Sequence, residues 1–239
     1  MTAAPNAPAR APNPRLIVPL DVPTVEEARA LVERLSEAVS FYKIGLQLFA
    51  TGGMALAGEL KAEGKQVFLD WKLHDIGATV EKAAAAIADA GSGDFLTVHA
   101  EPQVLAAAVK GRGSGELKVL GVTVLTSLDA AGLAEIGYAL NVEQLVERRI
   151  RQVLEAGADG VIASPHEAAL ARRIGGPGFL VVTPGVRPSW SGKDDQARAA
   201  TPAEALRSGA SHLVCGRPIT AASDPHAAAL AVVEEMAGA

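Results

Sequence analysis

A short segment in the first third of the chain carries the side chains best suited to chemistry. There an apolar run leads directly into Asp-x-Lys-x-x-Asp at residues 70–75. In an extended chain, residues two apart point to the same face, which places the carboxylate of Asp70 beside the ammonium of Lys72. In a partly desolvated site the two groups keep each other charged. Lys43, on a neighbouring apolar run, and Asp75 could extend this network.

The charged groups of this segment allow two interpretations. Two acids and two bases at adjacent strand ends could hold a fixed negative charge against one substrate group and a proton donor beside it. The alternative is a structural ion-pair network at a strand end, which we would favour for a single pair. Four charges on adjacent strand ends favour catalysis.

A second cluster, late in the chain, has the composition of a phosphate site. The sequence Thr-Pro-Gly-Val-Arg-Pro at 183–188 closes one apolar run, and Gly216 and Arg217 close the last one. In βα barrels, the loops after the seventh and eighth strands commonly bind phosphate. Gly216 permits close backbone approach and Arg217 supplies a permanent charge, although a turn with a surface arginine would look the same. The polar stretch 189–199 predicts a mobile lid.

The elements that must position these residues alternate along the chain. Short apolar runs are separated by alanine-rich stretches with apolar residues at helical spacing, which predicts a βα repeat. The runs lack polar alternation, as expected of a parallel sheet covered on both faces. The predicted strands are Leu16–Leu20, Phe41–Gly45, Gln66–Asp70, Phe95–His99, Val119–Leu125, Gly160–Ala163, Phe179–Thr183 and His212–Cys215. The predicted helices are Thr24–Val39, Leu46–Glu63, Thr79–Ala90, Pro102–Lys110, Val142–Ala156, His166–Ile174, Pro202–Ser208 and Pro225–Met236.

Eight βα units in about 225 residues favour an α/β protein with a single-domain (β/α)8 TIM barrel, and an open doubly wound sheet remains possible. A barrel enzyme gathers polar side chains at the C-terminal ends of several strands. The polar residues in such places are Asp21, Lys43, Asp70, Lys72, His99, Thr126, Ser127, Ser164 and Arg217. We assign residues 1–14, rich in Ala, Pro and Asn, to a disordered tail and residues 15–239 to the barrel domain.

The composition excludes several classes of protein. The 22 Lys and Arg face 27 Asp and Glu, and this net charge of −5 argues against general nucleic-acid binding. A hydrophobic fraction of 49% supplies a core and excludes a disordered or fibrous chain. A lone cysteine, Cys215, excludes a disulfide framework. Without a secretory signal or a membrane-spanning apolar run, we expect a cytoplasmic protein that does not bind membranes.

The motifs taken together resemble the orotidine 5′-monophosphate decarboxylase family, in its bacterial branch. The resemblance runs from Leu16 to about Met236, and Ala78 departs from it by standing where several members carry Asn. Asp-x-Lys-x-x-Asp alone would not distinguish related barrels such as keto-gulonate phosphate decarboxylase and hexulose phosphate synthase. The matching elements are Pro19-Leu20-Asp21, Tyr42-Lys43-Ile44-Gly45, Asp70 to Ile76 with Thr79, Thr97-Val98-His99-Ala100, Val124-Leu125-Thr126-Ser127, Thr183 to Pro188, Asp194 to Arg198, and Gly216-Arg217-Pro218-Ile219.

The resemblance implies decarboxylation of orotidine 5′-monophosphate to uridine 5′-monophosphate and CO2, the last step of de novo pyrimidine synthesis, without metal or organic cofactor. It implies that Asp70 lies against the substrate carboxylate. Lys72 would stabilise the carbanion at ring carbon 6 and then protonate it. Lys43 and Asp21 would hold the ribose hydroxyls and orient Lys72.

The remaining residues that match the family would bind substrate or complete the site. The resemblance implies a homodimer in which Asp75 and Thr79 reach into the partner's site. Thr126 and Ser127 match the segment that recognises the base. The positions that match the phosphate side are Arg187, Gln196, Gly216 and Arg217, with Gln196 on the closing loop.

The sequence allows two other functions. A metal-dependent hydrolase could use His74, His99, Asp70 and Asp75, because imidazole and carboxylate groups on barrel strands can bind a divalent ion. A lysine between the two acids would repel that ion. A non-catalytic nucleotide-phosphate-binding barrel would need Arg217 but not Asp70 or Lys72, so binding alone explains too little of the sequence.

Overall fold

Eight parallel strands close into a barrel, in which each strand pairs with the next in chain order and the last pairs with the first. The computed structural model describes residues 12–191 and 200–239. The strands are β1 (Leu16–Pro19), β2 (Phe41–Gly45), β3 (Gln66–Leu73), β4 (Phe95–His99), β5 (Lys118–Val122), β6 (Gly160–Ile162), β7 (Leu180–Thr183) and β8 (His212–Val214). This closed order confirms the TIM barrel and excludes the open sheet.

Helices follow the strands and cover the outside of the barrel. They are α1 (Val25–Leu35), α2 (Leu46–Phe49), α3 (Gly53–Ala62), α4 (Gly77–Ala90), α5 (Pro102–Arg112), α6 (Ala130–Glu135), α7 (Val142–Glu155), α8 (Ala168–Gly175), α9 (Pro202–Arg207), α10 (Arg217–Thr220) and α11 (Pro225–Met236), with a short 3-10 helix at Ser36–Ala38. In the described part of the chain, no helix combines the length and apolar character needed to cross a membrane.

The observed elements differ from the predicted ones in three informative places. The predicted helix Leu46–Glu63 is divided into α2 and α3, because Gly52 takes a left-handed φ of 115° between them. The third strand runs three residues beyond its predicted end at Asp70. Helix α6 was not predicted, since its six residues are too few to show a helical period; the side chain of Asp129 caps it by accepting from the Gly132 N–H at 2.8 Å.

The N-terminal tail and the predicted lid fall largely on residues that are not described. Residues 1–11 and 192–199 lie outside the described ranges, so the boundary between tail and barrel domain stays a prediction. The described chain starts at Pro12, and the carbonyl of Asn13 accepts a hydrogen bond from the Leu16 N–H at 3.0 Å, just where β1 begins.

Two apolar cores support the barrel, one outside the strands and one inside them. The larger core lies between the strands and the helices. The smaller one fills the N-terminal half of the barrel interior with Ile17, Phe41, Phe68, Phe95, Leu120, Val182 and Val214. Here the ring centroids of Phe41 and Phe95 lie 5.0 Å apart, edge to face, and His212 packs 5.1 Å from Phe95. The polar side chains at the C-terminal end of the barrel are therefore supported by a closely packed, largely aromatic core.

The buried imidazole of His212 predicts that the stability of the fold depends on pH. Burial, together with the charge of nearby Arg15, lowers the pKa of His212 to about 4. The unfolded chain binds its proton near pH 6.5, so the free energy of unfolding should fall as the pH drops from about 6.5 to about 4, by about 3 kcal/mol from this group. His212→Phe, which keeps an aromatic ring beside Phe41 and Phe95, should remove this contribution to the slope of the free energy of unfolding against pH. Urea unfolding of both proteins between pH 7 and pH 4 measures it, and equal slopes would refute the assignment.

Candidate active site

Three charged side chains from two adjacent strands meet at the C-terminal end of the barrel. The Lys72 ammonium donates to Asp70 Oδ1 at 2.8 Å, and the Lys43 ammonium lies 3.3 Å from Asp70 Oδ2. Lys43 is 8% exposed and the Asp70 side chain 14%. Trp71, between the two site residues of β3, faces the outer core. The alternation predicted for this segment is therefore confirmed.

Lys43 connects this pair to the end of the first strand. Its ammonium also donates to Asp21 Oδ1 at 3.0 Å, so one cation lies between two carboxylates. Gly45 makes room for the contact: a Cβ built there would lie 2.9 Å from Asp21 Oδ1 and 3.2 Å from Lys43 Nζ. Any side chain at position 45 would push the two groups apart.

The backbone of β3 is irregular where it carries the site. Its pairing with β4 shifts between Leu69 and Leu73, where an advance of four residues along β3 corresponds to an advance of two along β4. Within the irregular stretch Lys72 takes a left-handed φ of 49°, which is uncommon and strained for a residue with a side chain. Its N–H donates to Thr97 Oγ1 on β4 at 3.0 Å instead of to a backbone carbonyl. This local strain aims the ammonium back at Asp70.

Thr97 also fixes the carboxylate. Its hydroxyl donates to Asp70 Oδ1 at 3.0 Å, and the residue is fully buried. Burial alone would raise the pKa of Asp70, but the charges of Lys43 and Lys72 and the hydrogen bonds from Lys72 and Thr97 hold the pKa below its usual value. Asp70 is therefore an ionised, immobilised carboxylate at neutral pH, which suits a site that works by preorganised charge.

A cavity of about 190 Å³ opens beside these charges. Its polar side holds Lys43, Asp70 and Lys72, and the opposite wall is mostly apolar. The wall residues are Phe68, Val122, Val124, Leu125, Thr126, Ile162, Ala163, Ser164, Pro184 and Val214. A flat ring with one charged edge would fit such a cleft, because one side offers fixed charges and the other offers apolar contact.

The residues predicted to recognise a base follow β5 on the same side. Thr126 lines the cavity, whereas Ser127 is exposed and is not among the described residues that line it. Ser164, after β6, is 2% exposed and lines the cavity, and its hydroxyl has no hydrogen-bond partner among the described residues. A buried hydroxyl without a partner costs free energy, so a ligand atom is expected to satisfy it.

The two arginines of the predicted phosphate side follow β7 and β8. Arg187 is partly buried and its N–H donates to the Ala200 carbonyl at 2.9 Å, while its Nε is buried without a partner in the described chain. Arg217 is exposed and begins α10, with Gly216 as the N-cap. They come three residues after Pro184 and Val214, which line the cavity, although neither arginine is itself a lining residue in the described part of the chain. Gln196, the remaining phosphate-side residue, lies outside the described residues.

Asp75 and Thr79 lie away from the Asp70–Lys72 pair. Both are exposed, and within the described chain Asp75 Oδ1 accepts a hydrogen bond only from the neighbouring Ile76 N–H, at 2.6 Å. No cation within residues 12–191 and 200–239 forms an ion pair with Asp75. Ile76 beside it is 69% exposed. The single chain therefore does not bring Asp75 into the charge network, in contrast to the simplest interpretation of Asp-x-Lys-x-x-Asp.

The sequence assigns no role in the site to two of its residues: Thr97, and Ser164, which stands out only as a polar residue at a strand end. Thr97 carried a usable signal, because it is a polar residue in the middle of the apolar strand β4. Ser164 stands at a strand end with other polar residues, but nothing in the sequence shows that its hydroxyl lacks a partner. Cys215 contributes nothing here: burial raises the pKa of its thiol to about 12.

Three of the four side chains of the metal hypothesis are engaged in other contacts. Both oxygens of Asp70 face ammonium or hydroxyl groups. His74 and His99 stack on each other with ring centroids 4.6 Å apart. Among the described residues, no group of three or more His, Cys, Asp or Glu side chains is arranged to hold a metal ion.

Known proteins resemble the chain over nearly its full length. A family model described as orotidine 5′-phosphate decarboxylase / HUMPS family matches residues 14–232. An orotidine 5′-phosphate decarboxylase of Caulobacter sp. (strain K31) is 71% identical over 226 residues, covering 95% of this chain and 98% of that protein. One from Caulobacter vibrioides is 69% identical over 230 residues. A crystal structure of the orotidine 5′-phosphate decarboxylase from Lactobacillus acidophilus superposes with a TM-score of 0.82 at 36% identity, covering 95% of this chain and 99% of that one.

Proposed function

Because the chain belongs to the orotidine 5′-phosphate decarboxylase / HUMPS family, we propose that the charge network of Lys43, Asp70 and Lys72 is the catalytic centre of its reaction. The chain is an enzyme that decarboxylates orotidine 5′-monophosphate to uridine 5′-monophosphate, a step of pyrimidine biosynthesis. The observation that supports the assignment is the contact of two ammonium groups with one buried carboxylate, at 2.8 and 3.3 Å, beside an apolar cavity.

The reaction requires stabilisation of a carbanion that has no covalent electron sink. The substrate carboxylate lies against ionised Asp70, the bond from ring carbon 6 to the carboxyl carbon breaks, and the electron pair stays on carbon 6. Lys72 faces this pair with its ammonium and then transfers a proton from Nζ to carbon 6. Uncharged CO2 meets the apolar wall. The rate enhancement comes from preorganised charge and from positioning, because the ammonium is already held in place before the substrate arrives.

Lys43 and Asp21 have a supporting role in this proposal. Lys43 binds both carboxylates, so it fixes Asp70 relative to the end of β1. Asp21 is half-exposed and can accept hydrogen bonds from sugar hydroxyls at the mouth. Thr126 and Ser127 would contact the base, and the hydroxyl of Ser164 is placed to satisfy one further polar atom of it.

The rim of the cavity would bind the phosphate. Arg187 offers a buried Nε that has no other partner in the described chain, and Gly216 and Arg217 place backbone and guanidinium groups at the neighbouring strand end. A phosphate held there is remote from carbon 6, so its binding energy can hold the ring against Lys72 in the transition state. Gln196 stays a prediction, as does the cytoplasmic location.

A second copy of the chain completes the site in this proposal. Asp75 and Thr79 are exposed and have no role in their own charge network, and the strongly exposed Ile76 between them is an apolar group suited to an interface. In a homodimer with twofold symmetry, each chain would place Asp75 beside the partner's Lys72, so that acids and lysines alternate. The proposed substrate is thus bound by two chains.

The predicted independence from cofactors has a direct test. Purified protein mixed with orotidine 5′-monophosphate in excess chelator should give the ultraviolet absorbance loss of decarboxylation at the same rate as without chelator. The reason is that Lys72 supplies both the positive charge and the proton. Loss of activity in chelator, restored by a divalent metal, would contradict the prediction and revive the metal hypothesis.

A further inference from the structure

Behind the catalytic network lies a group of polar side chains that the proposed reaction does not use. The Glu101 cluster consists of His74, His99, Glu101, Tyr138 and Arg149. The imidazoles of His74 and His99 are stacked, 19° from parallel. Both face the same oxygen of Glu101: His74 Nε2 lies 3.8 Å and His99 Nδ1 3.9 Å from Oε2. His74, from the loop after β3, and His99, the last residue of β4, therefore both face a single carboxylate.

Glu101 is itself held rigidly from behind. Its Oε1 accepts from Arg149 on α7 at 2.7 Å, and Arg149 also donates to the Tyr138 hydroxyl at 2.9 Å. The side chain of Arg149 is only 9% exposed. Glu101 stands at the N-cap of α5, yet its side chain makes no capping hydrogen bond there. Its carboxylate is therefore directed at the imidazoles rather than at the helix.

One oxygen of the Glu101 carboxylate faces the two imidazoles. Oε2 of Glu101 is buried and has no hydrogen-bond partner among the described residues. The two nearby ring nitrogens lie just beyond hydrogen-bond distance. A buried carboxylate oxygen without a donor is costly, so a small approach of either ring is favourable. His74 and His99 are thus drawn towards Glu101.

The only part of this cluster that belongs to the loop after β3 is His74, which directly precedes Asp75. Within the described residues the Asp75 carboxylate has no side-chain partner, and it accepts a hydrogen bond only from the next residue. Between Leu73, the last residue of β3, and Gly77, the first of α4, the His74 ring is the side chain that faces His99 and Glu101. We propose that Glu101, through the stacked His74 and His99, is a positioning residue that holds Asp75 for its action in the partner's site. This inference rests on the proposed shared site.

The first test measures steady-state kinetics of Glu101→Gln and His74→Leu. The glutamine keeps an acceptor for Arg149 but presents an amide to the imidazoles, and His74 is half-exposed, so its replacement leaves the buried ion pair in place. A misplacement of Asp75 should lower kcat by about tenfold and leave KM within about twofold, since the phosphate side is untouched. Thermal unfolding checks that both variants fold. Parental kcat in both folded variants would overturn the proposal.

Hybrid dimers then show through which chain Glu101 acts. In a dimer of a Lys72→Ala chain and a Glu101→Gln chain, purified with two different tags, the one live site combines Lys72 of the second chain with Asp75 of the first. The Glu101 cluster of that first chain is intact, so this site should turn over at the parental rate. In the reciprocal dimer, of a parental chain and a Lys72→Ala, Glu101→Gln double variant, the live site should be about tenfold slower.

The opposite pattern would overturn the inference alone. If Glu101 acts on the lysine of its own chain, the first hybrid is slow and the reciprocal one is fast. A control hybrid of Lys72→Ala with Asp75→Asn separates this outcome from failure of the shared site. If that control is inactive despite verified pairing, the proposed function of Asp75 fails, and the positioning role of Glu101 fails with it.

Discussion

Lys72→Ala should lower kcat for decarboxylation by at least about 10⁴-fold, while the protein still binds the product nucleotide. Two losses combine in this variant. The carbanion loses a preorganised positive charge, which is typically worth about 10²–10³-fold, and it loses its general acid, typically worth about 10²–10⁴-fold. Nucleotide binding persists because the sugar and phosphate contacts proposed for Asp21, Arg187 and Arg217 remain.

The measurement needs a binding assay beside the rate assay. Calorimetric titration with uridine 5′-monophosphate reports binding, and absorbance reports turnover. Lys110→Ala is a matched control, because Lys110 also pairs with one carboxylate, Glu81, at 2.9 Å, but lies on the exposed surface of α5. It should keep parental kcat. Turnover of Lys72→Ala near the parental rate would refute the role of Lys72.

Mixing two inactive variants, Asp75→Asn and Lys72→Ala, should restore activity. In each hybrid dimer one site contains both substitutions and the other contains neither. Random exchange of subunits places about half of the dimers in the hybrid form, and one of their two sites is intact, so about a quarter of parental activity should return. The physical reason is that Asp75 makes no contact with Lys72 of its own chain.

Subunit exchange has to be verified by mass or by differential tags. A mixture of Asp75→Asn with a chain carrying both substitutions is the control, since none of its sites contains both an intact lysine and an intact partner aspartate. That mixture should stay inactive. If the first mixture also stays inactive despite proven exchange, Asp75 does not act across an interface.

The sequence predicts the fold well because the fold depends on patterns that are local and repeated. Each strand is a short apolar run, and the glycines at 64, 91, 157 and 209 after the helices all take a left-handed conformation, which costs glycine little. Prediction fails where one residue changes the path. Gly52 divides a helix whose apolar spacing is continuous, and the shift in β3 depends on the Thr97 hydroxyl of the neighbouring strand.

The site is predictable only in part, for a related reason. Residue types and spacing identify Asp70 and Lys72, but the left-handed φ of Lys72 that completes their contact is not contained in the spacing. The same spacing places Asp75 near them in sequence, but it does not show whether Asp75 acts in its own chain or in the partner's site. The unpartnered hydroxyl of Ser164 and the orientation of Glu101 arise from packing between distant segments, and no local pattern contains them.

In the proposed reaction, the aromatic side chains that fill the barrel interior limit the paths by which CO2 can leave the site. Phe41, Phe68 and Phe95 close the interior beneath the cavity, so newly freed CO2 cannot move downwards away from carbon 6. Towards the mouth, the nucleotide proposed to be bound at the rim stands between CO2 and solvent. CO2 is thus retained beside the carbanion that it has just left. In the proposed reaction, forward progress would then depend on whether Lys72 transfers its proton to carbon 6 before CO2 recombines with the carbanion.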